Sequence, residues 1–467
     1  MNRTTANRTT RIGSGAGFAG DRIEPAAALA EHAGLDDLVL ECLAERTIAL
    51  GQQRRLADPA TGYDPMLRAR LRRLLPVAAR RGVRLVSNMG AANPPAAAEV
   101  ARDLLREHGL TGRVAVLTGD DVLDRIDLSA PALEDGRPLG EHGEVVSANA
   151  YLGAEDLLPA LRTGASVVLT GRVADPSLFL APIAHRLGWD LRDPALAAAG
   201  TLTGHLLECA GQVTGGYFAD PGVNDVPRPA ELGFPFADVA ADGPAVLGKL
   251  AGTGGTISRA TVREQLLYEV TDPTGYITPD VVLDFRGVTA EPAGPDRVRV
   301  AGARGRERPD RLKVSVGYRA GHRAEAEISY AGPNAARRAR LAADVVTERL
   351  RGADLRMRAE VRGVGGVDGG DGAGRAGGAD GAGGAAGPVE VDGAAADCRL
   401  RIAAMAPTAE TAELVCHEVE ALYTNGPAGG GGVRTSVREV LGVVSALLPR
   451  DVVTPEVTVL ETGDAAA

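Results

Sequence analysis

Short apolar runs alternate with helical patterns along the chain as far as Asp190, at a spacing of about thirty residues. Helix-start signals stand at Asp64-Pro65 and Asn93, and Gly164 ends one of the helices. Repeated strand–helix units with nearly continuous apolar strands are typical of a parallel sheet that helices cover on both faces. We therefore expect an α/β fold with a doubly wound, mostly parallel sheet. Its predicted strands are Arg11–Gly13, Asp37–Glu41, Arg84–Ser87, Arg113–Thr118, Glu144–Ala148 and Ala165–Thr170.

Beyond Asp190 the pattern is less regular and predicts a second, α+β C-terminal domain. Thirteen of the 25 residues from Gly363 to Gly387 are glycine, so this segment buries too little to offset its ordering entropy. We expect domains at 11–290 and 291–462, with a disordered glycine-rich insertion at 363–395. The elements predicted in this half are Leu202–Gln212, Arg259–Val270, Arg297–Ala303, Leu312–Tyr318, Ala324–Tyr330, Asn334–Arg351, Arg399–Ala403, Ala409–Tyr423 and Glu456–Leu460.

Composition and charge exclude several classes of protein. The net charge of −10 and the aromatic content of 3% argue against nucleic acid as a partner. No apolar run approaches the roughly 18 residues that a membrane span needs, and Met1–Thr10 lacks the apolar segment of a secretory signal. The four cysteines are scattered without a CxxC pair, which is typical of reduced thiols. We expect a cytoplasmic protein with no membrane partner.

Lysine is rare in this chain. Of the 51 basic residues only Lys249 and Lys313 are lysine, and the other 49 are arginine. This bias, together with heavy use of alanine and glycine, is typical of a GC-rich coding sequence. Under such drift a lysine persists where arginine cannot replace it, which makes both lysines candidates for function. The alternative is that two lysines survived by chance.

The residues that follow the predicted strands indicate where a site lies. In an open parallel sheet, ligands bind at the carboxyl ends of the strands. Every one of the six strands is followed by glycine or by polar residues, so we predict an active or binding site on this edge. These segments are Gly13–Arg22, Glu41–Arg46, Asn88–Asn93, Thr118–Asp121, Asn149–Tyr151 and Thr170–Asp175.

Five of these polar residues are candidates for catalysis. Carboxyl groups at a partly buried strand end can divide acid and base roles, and amide groups can orient a carbonyl. The predicted acid and base groups are Glu41, Asp120 and Asp121, and the predicted carbonyl-orienting groups are Asn88 and Asn149. In the alternative interpretation, Arg46 and Arg172 neutralise these acids and the cluster is structural.

Two glycine-rich segments and Arg172 are candidates for cofactor binding. The spacing Gly15-x-Gly17-x-x-Gly20, with Glu41 about twenty residues later, matches a dinucleotide fingerprint; a tight strand-to-helix turn is the alternative. Near Lys249, the run Gly254-Gly255-Thr256 precedes a helix and can bind a phosphate or carboxylate, or it is a flexible connection.

One helix carries a pair of possible metal ligands. His205 and Glu208 share one face, but no second ligand cluster accompanies them, so a structural helix is the preferred interpretation and no metal is predicted. Neither a GxSxG elbow nor an HExxH motif is present.

Several of these segments resemble the acyclic terpene utilisation (AtuA-like) family. They follow in order from about Arg11 to Leu460: GAGFAGDRIEPA, ECLAERT, NMGAANP, LTGDDV, ANAYLGA, TGRVADPSL, ECAGQVTGGYFADPG, GTGGTISRATVREQLLYE, YITPDVVLDF and YTNGPAGGGG. The resemblance implies a role in breaking down citronellol- and geraniol-type acids as coenzyme A thioesters. Longer members carry a further C-terminal domain of ferredoxin-like fold, which we expect this chain to lack. The resemblance therefore also implies a separate small ferredoxin-like partner subunit.

Three hypotheses for function remain open at this point. The first is an enzyme that acts on a branched or unsaturated acyl-CoA as a hydratase, dehydratase or lyase, in terpene-type catabolism or specialised metabolism. The second is a nucleotide-dependent oxidoreductase that uses the Gly15–Gly20 turn and Glu41. The third is a non-catalytic subunit that needs a partner domain. We expect a homo-oligomer with a small-molecule acyl-CoA substrate, and no cofactor is identified.

Overall fold

A computed structural model describes residues 8–364 and 397–463 of the chain. The described residues form two compact units. The first unit comprises the described parts of Met1–Tyr318 and Val443–Ala467, and the second comprises those of Arg319–Gly442. Within the described ranges, no helix combines the length and the apolar composition that crossing a membrane requires.

The strands and helices alternate through the first unit and continue into the second. The strands are β1 (Thr9–Ala16), β2 (Asp37–Leu40), β3 (Arg84–Ser87), β4 (Arg113–Thr118), β5 (Val145–Ala150), β6 (Val167–Thr170), β7 (Pro235–Ala240), β8 (Ala245–Lys249), β9 (Tyr276–Ile277), β10 (Val282–Asp284), β11 (Thr289–Gly294), β12 (Arg297–Ala301), β13 (Arg304–Arg306), β14 (Arg311–Ala331), β15 (Arg356–Val364), β16 (Asp397–Ala406), β17 (Gly430–Pro449) and β18 (Glu456–Glu461). The helices are α1 (Glu24–His32), α2 (Glu45–Ala57), α3 (Leu67–Arg81), α4 (Pro94–Glu107), α5 (Ala154–Arg162), α6 (Asp175–Leu187), α7 (Pro194–Leu207), α8 (Arg259–Leu267), α9 (Ala335–Arg349), α10 (Ala409–Glu420) and α11 (Leu422–Asn425).

A large mixed sheet organises the first unit. Its strand order among the described residues is β11-β12-β8-β7-β1-β2-β3-β6-β4-β18. The central strands β1, β2, β3, β6 and β4 are parallel, whereas the strands on both flanks pair antiparallel. The α/β prediction is confirmed as a mixed α/β fold, with the parallel part confined to the centre of the sheet.

The core explains why the central strands read as continuous apolar runs. Val114 and Val116 of β4 belong to an apolar cluster with residues of α1, α3 and α4, while Ala115 and Leu117 belong to another with residues of α5, α6 and α7. Since successive side chains of a strand point to opposite faces, a strand with helices on both faces buries every residue. This arrangement leaves the carboxyl ends of the central strands open for a site.

Strand β5 does not join the sheet in which the sequence placed it. It pairs antiparallel with β14, with Val314 opposite Ala150 and Val316 opposite Ala148. Its sequence alternates polar Ser147 and Asn149 with alanine, unlike the continuous apolar strands at the centre of the large sheet. The prediction of six strands in one parallel sheet is therefore wrong for β5.

Helix starts follow local capping chemistry, with two shifts from the predictions. The predicted start of α4 is confirmed, since the Asn93 side chain accepts a hydrogen bond from the N–H of Ala96. Helix α3 begins at Leu67 rather than Pro65, and Asp64 accepts from the Met66 N–H. Helix α7 begins earlier than predicted, because Asp193 caps it, and it ends at Leu207.

The second unit contains the order strand–helix–strand–strand–helix–strand. Its sheet order is β15-β16-β14-β17, with α9 and α10 packed on one face of β14 and β16. This order and connectivity are those of a ferredoxin-like arrangement.

The compact units differ from the predicted domains at 11–290 and 291–462. The start of β14 pairs with β5, and β18 pairs with β4, so both belong to the first unit. Of the predicted insertion at 363–395, Gly363 and Val364 end β15, and residues 365–395 lie outside the described residues.

Candidate active site at the strand ends

A cavity of about 1140 Å³ lies at the carboxyl ends of the parallel strands, in the first unit. Its wall includes residues that follow three strands: Gly17 after β1, Glu41 after β2 and Asp175 after β6. Glu208, just beyond α7, and Lys313 of β14 also line it. This volume exceeds the usual range of small-molecule pockets, so the cavity can hold a ligand with an extended chain.

Glu41 is the buried carboxyl group at the end of β2. Only 7% of the residue is exposed, and its Oε1 accepts hydrogen bonds from the Leu43 N–H at 2.8 Å and from Asn88 Nδ2 at 2.9 Å. No described residue donates a hydrogen bond to Oε2, which leaves that atom for a ligand. Burial raises the pKa of Glu41 to about 8, and the charge of Asp175 adds to the rise. Glu41 is therefore mostly protonated at neutral pH.

Asn88 supports Glu41 and does not contact the cavity. The side chain is fully buried, its Nδ2 donates to Glu41, and its Oδ1 accepts from the Cys42 N–H at 2.7 Å. Both ends of the amide are thus occupied, and Asn88 is absent from the cavity wall. These contacts hold Glu41 in place and do not support the predicted role of Asn88 in orienting a substrate carbonyl.

Arg172 is a buried cation behind the cavity wall. Its guanidinium donates to the carbonyl oxygens of Leu43 and Val173 and to the Asp175 carboxylate, and it lies 4.6 Å from the centre of the Tyr151 ring. Burial acts to lower the pKa of Arg172, but the charges of Asp175, Tyr151 and Glu41 outweigh it and raise the pKa. Arg172 therefore joins the segments after β2 and β6. Among the described residues, the guanidinium group of Arg172 contacts only protein groups and does not line the cavity, so its predicted role in cofactor binding is not supported.

Tyr151, Glu45 and Lys313 form a polar group on the cavity wall. The Tyr151 hydroxyl donates to Glu45 Oε1 at 2.5 Å, and the Lys313 ammonium donates to the same oxygen at 3.1 Å. Lys313 also lies 5.0 Å from the centre of the Tyr151 ring. Burial opposes ionisation of Glu45, but the hydrogen bonds from Tyr151 and Lys313 lower its pKa to about 2. Glu45 and Tyr151 lie in two of the strand-end segments that predict the site, although neither is among the predicted catalytic residues, and the rarity of lysine is the signal for Lys313.

Glu208 and His205 bring a second buried carboxyl group to the wall. The His205 Nδ1 atom lies 2.9 Å from Glu208 Oε1, and the His205 ring is buried. Burial raises the pKa of Glu208 to about 7, against the lowering effect of His205. The sequence shows the spacing of this pair but not that α7 ends at the cavity, so by itself it favours a structural role for the pair. Among the described residues, no three His, Cys, Asp or Glu side chains form a group that can hold a metal ion.

Asp120, Asn149 and Asp121 do not reach the cavity. Asp120 is buried and accepts hydrogen bonds at 2.9 Å from Asn149 Nδ2 and from the Arg172 N–H. Burial raises its pKa to about 6, although both hydrogen bonds oppose the rise. Asp121 is half exposed and lies 3.8 Å from Arg55, beside a separate pocket. The predicted cluster thus separates: Asp120 and Asn149 orient the segment before Asp175, and Asp121 is a surface residue.

The Gly15–Gly20 turn is packed closely against the end of α7. A Cβ atom on Gly17 would lie 2.4 Å from the backbone carbon of Cys209. The Gly17 N–H donates to Asp21, and Arg70 donates to the carbonyl oxygens of Phe18, Ala19 and Asp21. Of the three predicted glycines, only Gly17 lines the cavity, while Gly15 packs on the leucines of β2 and Gly20 on Phe18. Close packing therefore explains why glycine occupies these three positions.

Substitution Gly17→Ala is expected to destabilise the protein by about 1–3 kcal/mol, because the added methyl group meets backbone that cannot rotate away. Urea unfolding measures the effect. Gly431→Ala is the matched control, since a Cβ at Gly431 meets nothing within 4 Å. Equal midpoints for the two variants would contradict the packing role.

The second glycine-rich segment lies away from the cavity. The Lys249 ammonium is buried, 3.1 Å from Asp296 and 3.0 Å from the Thr253 carbonyl oxygen. The N–H groups of Gly254, Gly255 and Thr256 donate to backbone carbonyl oxygens of Glu231, Pro227 and Thr214. The donors predicted to bind an anion are therefore already engaged, and this segment is not part of the candidate site.

Comparison with known proteins identifies the family. A comparison with curated proteins and another with solved structures found no match. The family model described as acyclic terpene utilisation family protein AtuA matches residues 10–459, which span both compact units. The chain therefore belongs to the AtuA family of acyclic terpene utilisation proteins.

Proposed function

We propose that this protein is an enzyme that adds water to, or removes it from, a branched or unsaturated acyl-CoA in acyclic terpene-type catabolism. The observation that carries the proposal is Glu41, a buried carboxyl group with a pKa of about 8 and a free oxygen on the cavity wall. A carboxylic acid kept neutral at physiological pH can donate a proton to a carbon or an oxygen of a bound substrate.

The surroundings of Glu41 support proton transfer. Hydrogen bonds from Leu43 and Asn88 fix one oxygen, so the other keeps a constant position relative to a ligand. Lys313 places a positive charge on the same wall, where it can stabilise negative charge that develops on a thioester oxygen. The enzyme thus contributes a proton donor and a cation to the proposed reaction.

Two exposed arginines on the cavity wall can bind an anionic group of the substrate. Arg46 and Arg311 line the cavity and are exposed, and neither guanidinium group makes a hydrogen bond or an ion pair with another described residue. Free guanidinium groups bind phosphate well, because they present several donors in one plane. Arg46 and Arg311 are therefore the proposed contacts for the phosphates of coenzyme A.

Removal of both arginines tests this proposed phosphate contact. The double variant Arg46→Ala/Arg311→Ala is expected to bind coenzyme A at least about tenfold more weakly, since a hydrogen bond to a charged group contributes about 1.5–3 kcal/mol. Isothermal titration calorimetry measures the change. Arg73→Ala, an exposed arginine of α3 outside the cavity, is the control. An unchanged affinity of the double variant for coenzyme A would contradict the proposed role of the two arginines.

Two measurements test the activity itself. Mass spectrometry of the denatured protein identifies any ligand that copurifies, and a coenzyme A thioester is expected. The purified protein is then incubated in heavy-oxygen water with the thioesters of 3-methylbut-2-enoic acid and of a geraniol-type acid. A product that carries the heavy oxygen supports hydration. A copurified nucleotide without hydration would favour the oxidoreductase, and neither ligand nor turnover would favour the non-catalytic subunit.

A further inference from the structure

Glu208 has the geometry of a second proton-transfer group. It stands on the cavity wall just beyond α7, and only 7% of the residue is exposed. Its Oε1 contacts His205, whereas Oε2 is buried and has no hydrogen-bond partner among the described residues. A buried, unpaired carboxylate oxygen is costly, so its presence at a cavity indicates that a ligand or water supplies the missing partner.

His205 is placed to hold Glu208 and not to contact the ligand. Its Nδ1 lies 2.9 Å from Glu208 Oε1, and its Nε2 lies 3.3 Å from the Leu266 carbonyl oxygen. The ring packs between Tyr276 and Phe285, with centroid distances of 5.4 and 5.5 Å. Both ring nitrogens are therefore engaged and the ring cannot turn, which fixes the orientation of the Glu208 carboxylate.

We propose that Glu208 is the catalytic residue that exchanges a proton with the reacting water, and that His205 is its positioning residue. This inference rests on the proposed hydratase function, in which Glu41 donates a proton to the α-carbon of the substrate. The proposal thus divides two proton transfers between two buried carboxyl groups that line one cavity.

The proposed step balances without a further reactant. In hydration, Glu208 takes a proton from water as the water oxygen bonds to the β-carbon. The electron pair of the double bond moves onto the thioester oxygen, and the resulting enolate takes a proton from Glu41 at the α-carbon. One water molecule is consumed and no electron carrier is needed. Exchange with solvent then removes the proton from Glu208 and restores that of Glu41.

The electrostatic surroundings of Glu208 fit a base that works near neutral pH. Burial raises its pKa to about 7, while His205 opposes the rise. For His205 burial lowers the pKa, but the Glu208 carboxylate outweighs this effect and raises it. Other titratable groups that influence Glu208, or that it influences, come from neighbouring elements: Asp175 of α6, Cys209, Glu269 and Tyr276 of β9.

The test combines kinetics with a titration that needs no substrate. For hydration we expect a bell-shaped pH profile, with the acid limb set by Glu208 and the alkaline limb by Glu41. His205→Asn removes the cation beside Glu208, so the acid limb should move to higher pH by about one unit or more, and the alkaline limb should stay. Glu208→Gln should lower kcat by about 10²-fold. Glu264→Gln, an exposed glutamate of α8, is the control.

Carbon-13 NMR of glutamate-labelled protein provides the second readout. The difference between the parent and Glu208→Gln identifies the Glu208 carboxyl signal, and its titration midpoint should rise in His205→Asn. An unchanged midpoint would overturn the positioning role whatever the activity. Parent-like turnover by Glu208→Gln would overturn its catalytic role while leaving the hydratase proposal intact. If the parent hydrates neither thioester, the catalytic role of Glu208 falls together with the proposed function.

Discussion

Replacement of Glu41 by glutamine is expected to lower the turnover of an acyl-CoA thioester by about 10²-fold or more, with the fold retained. The amide oxygen of glutamine can accept the hydrogen bonds that Leu43 and Asn88 donate to Oε1. The substitution therefore removes ionisation and leaves the local geometry in place. Steady-state kinetics on the hydrated thioester measure the loss, and kcat should fall more than KM rises.

The same substitution has a second expected effect, on stability. The folded protein holds the Glu41 proton up to a pKa of about 8, compared with an ordinary value of 4.5. This contribution is complete below pH 4.5 and is lost as the pH rises to about 8. Each unit of pKa difference corresponds to about 1.36 kcal/mol, so the loss is on the order of a few kcal/mol.

Thermal unfolding near pH 5 and near pH 9 separates these effects. Glu41→Gln should match the parent closely near pH 5 and should be more stable than the parent near pH 9, because glutamine does not ionise. Glu264→Gln should follow the parent at both values, since that side chain is exposed. A parent and a Glu41→Gln variant with the same stability difference at both pH values would show that Glu41 is not a buried acid.

Replacement of Arg172 by methionine is expected to destabilise the protein by about 3–5 kcal/mol. The guanidinium group is almost completely buried and donates to Leu43, Val173 and Asp175. Without it, the Asp175 carboxylate loses its partner close to Glu41, and two carbonyl oxygens lose their donors. Because the Asp175 side chain is 37% exposed on the cavity, much of the loss comes from the two buried carbonyl oxygens left without donors, and the uncompensated carboxylate adds to it.

Urea unfolding of Arg172→Met measures this loss, and Arg73→Met on the exposed face of α3 is the matched control. Arg172→Lys should fall between the parent and Arg172→Met, because lysine keeps the charge but lacks the planar set of donors. A loss below about 1 kcal/mol in Arg172→Met, within the usual range for an exposed ion pair, would mean that the buried network does not join the strand ends.

The sequence by itself determined the parallel centre of the large sheet. The strands β2, β3, β4 and β6 are short apolar runs with helix signals between them, and only burial on both faces produces such runs. The same local rule placed Glu41 correctly at a strand end, because the first polar residue after a buried strand stands at the sheet edge. The sequence also predicted the cap of α4 at Asn93, because a helix cap depends on residues that are close along the chain.

The pairing of distant strands was decided by the tertiary structure. The antiparallel flanks of the large sheet and the pairing of β5 with β14 join segments far apart in sequence. The alternation of polar and apolar residues in a strand indicates which of its faces is buried, but it does not indicate which strand pairs with it. The sequence therefore could not show that β5 lies outside the large sheet. For the same reason it could not show that β18 returns to β4.

The composition of the candidate site was likewise a tertiary outcome. Glu208, just beyond α7, and Lys313 of β14 line the cavity, more than a hundred residues beyond the strand end that carries Glu41. Asp120 and Asn149 resembled site residues in the sequence, yet each satisfies the other's hydrogen bond away from the cavity. Residue type and local position predict which groups are polar at a strand end. Whether such a group faces a ligand or another side chain depends on packing between distant segments, which only the folded chain defines.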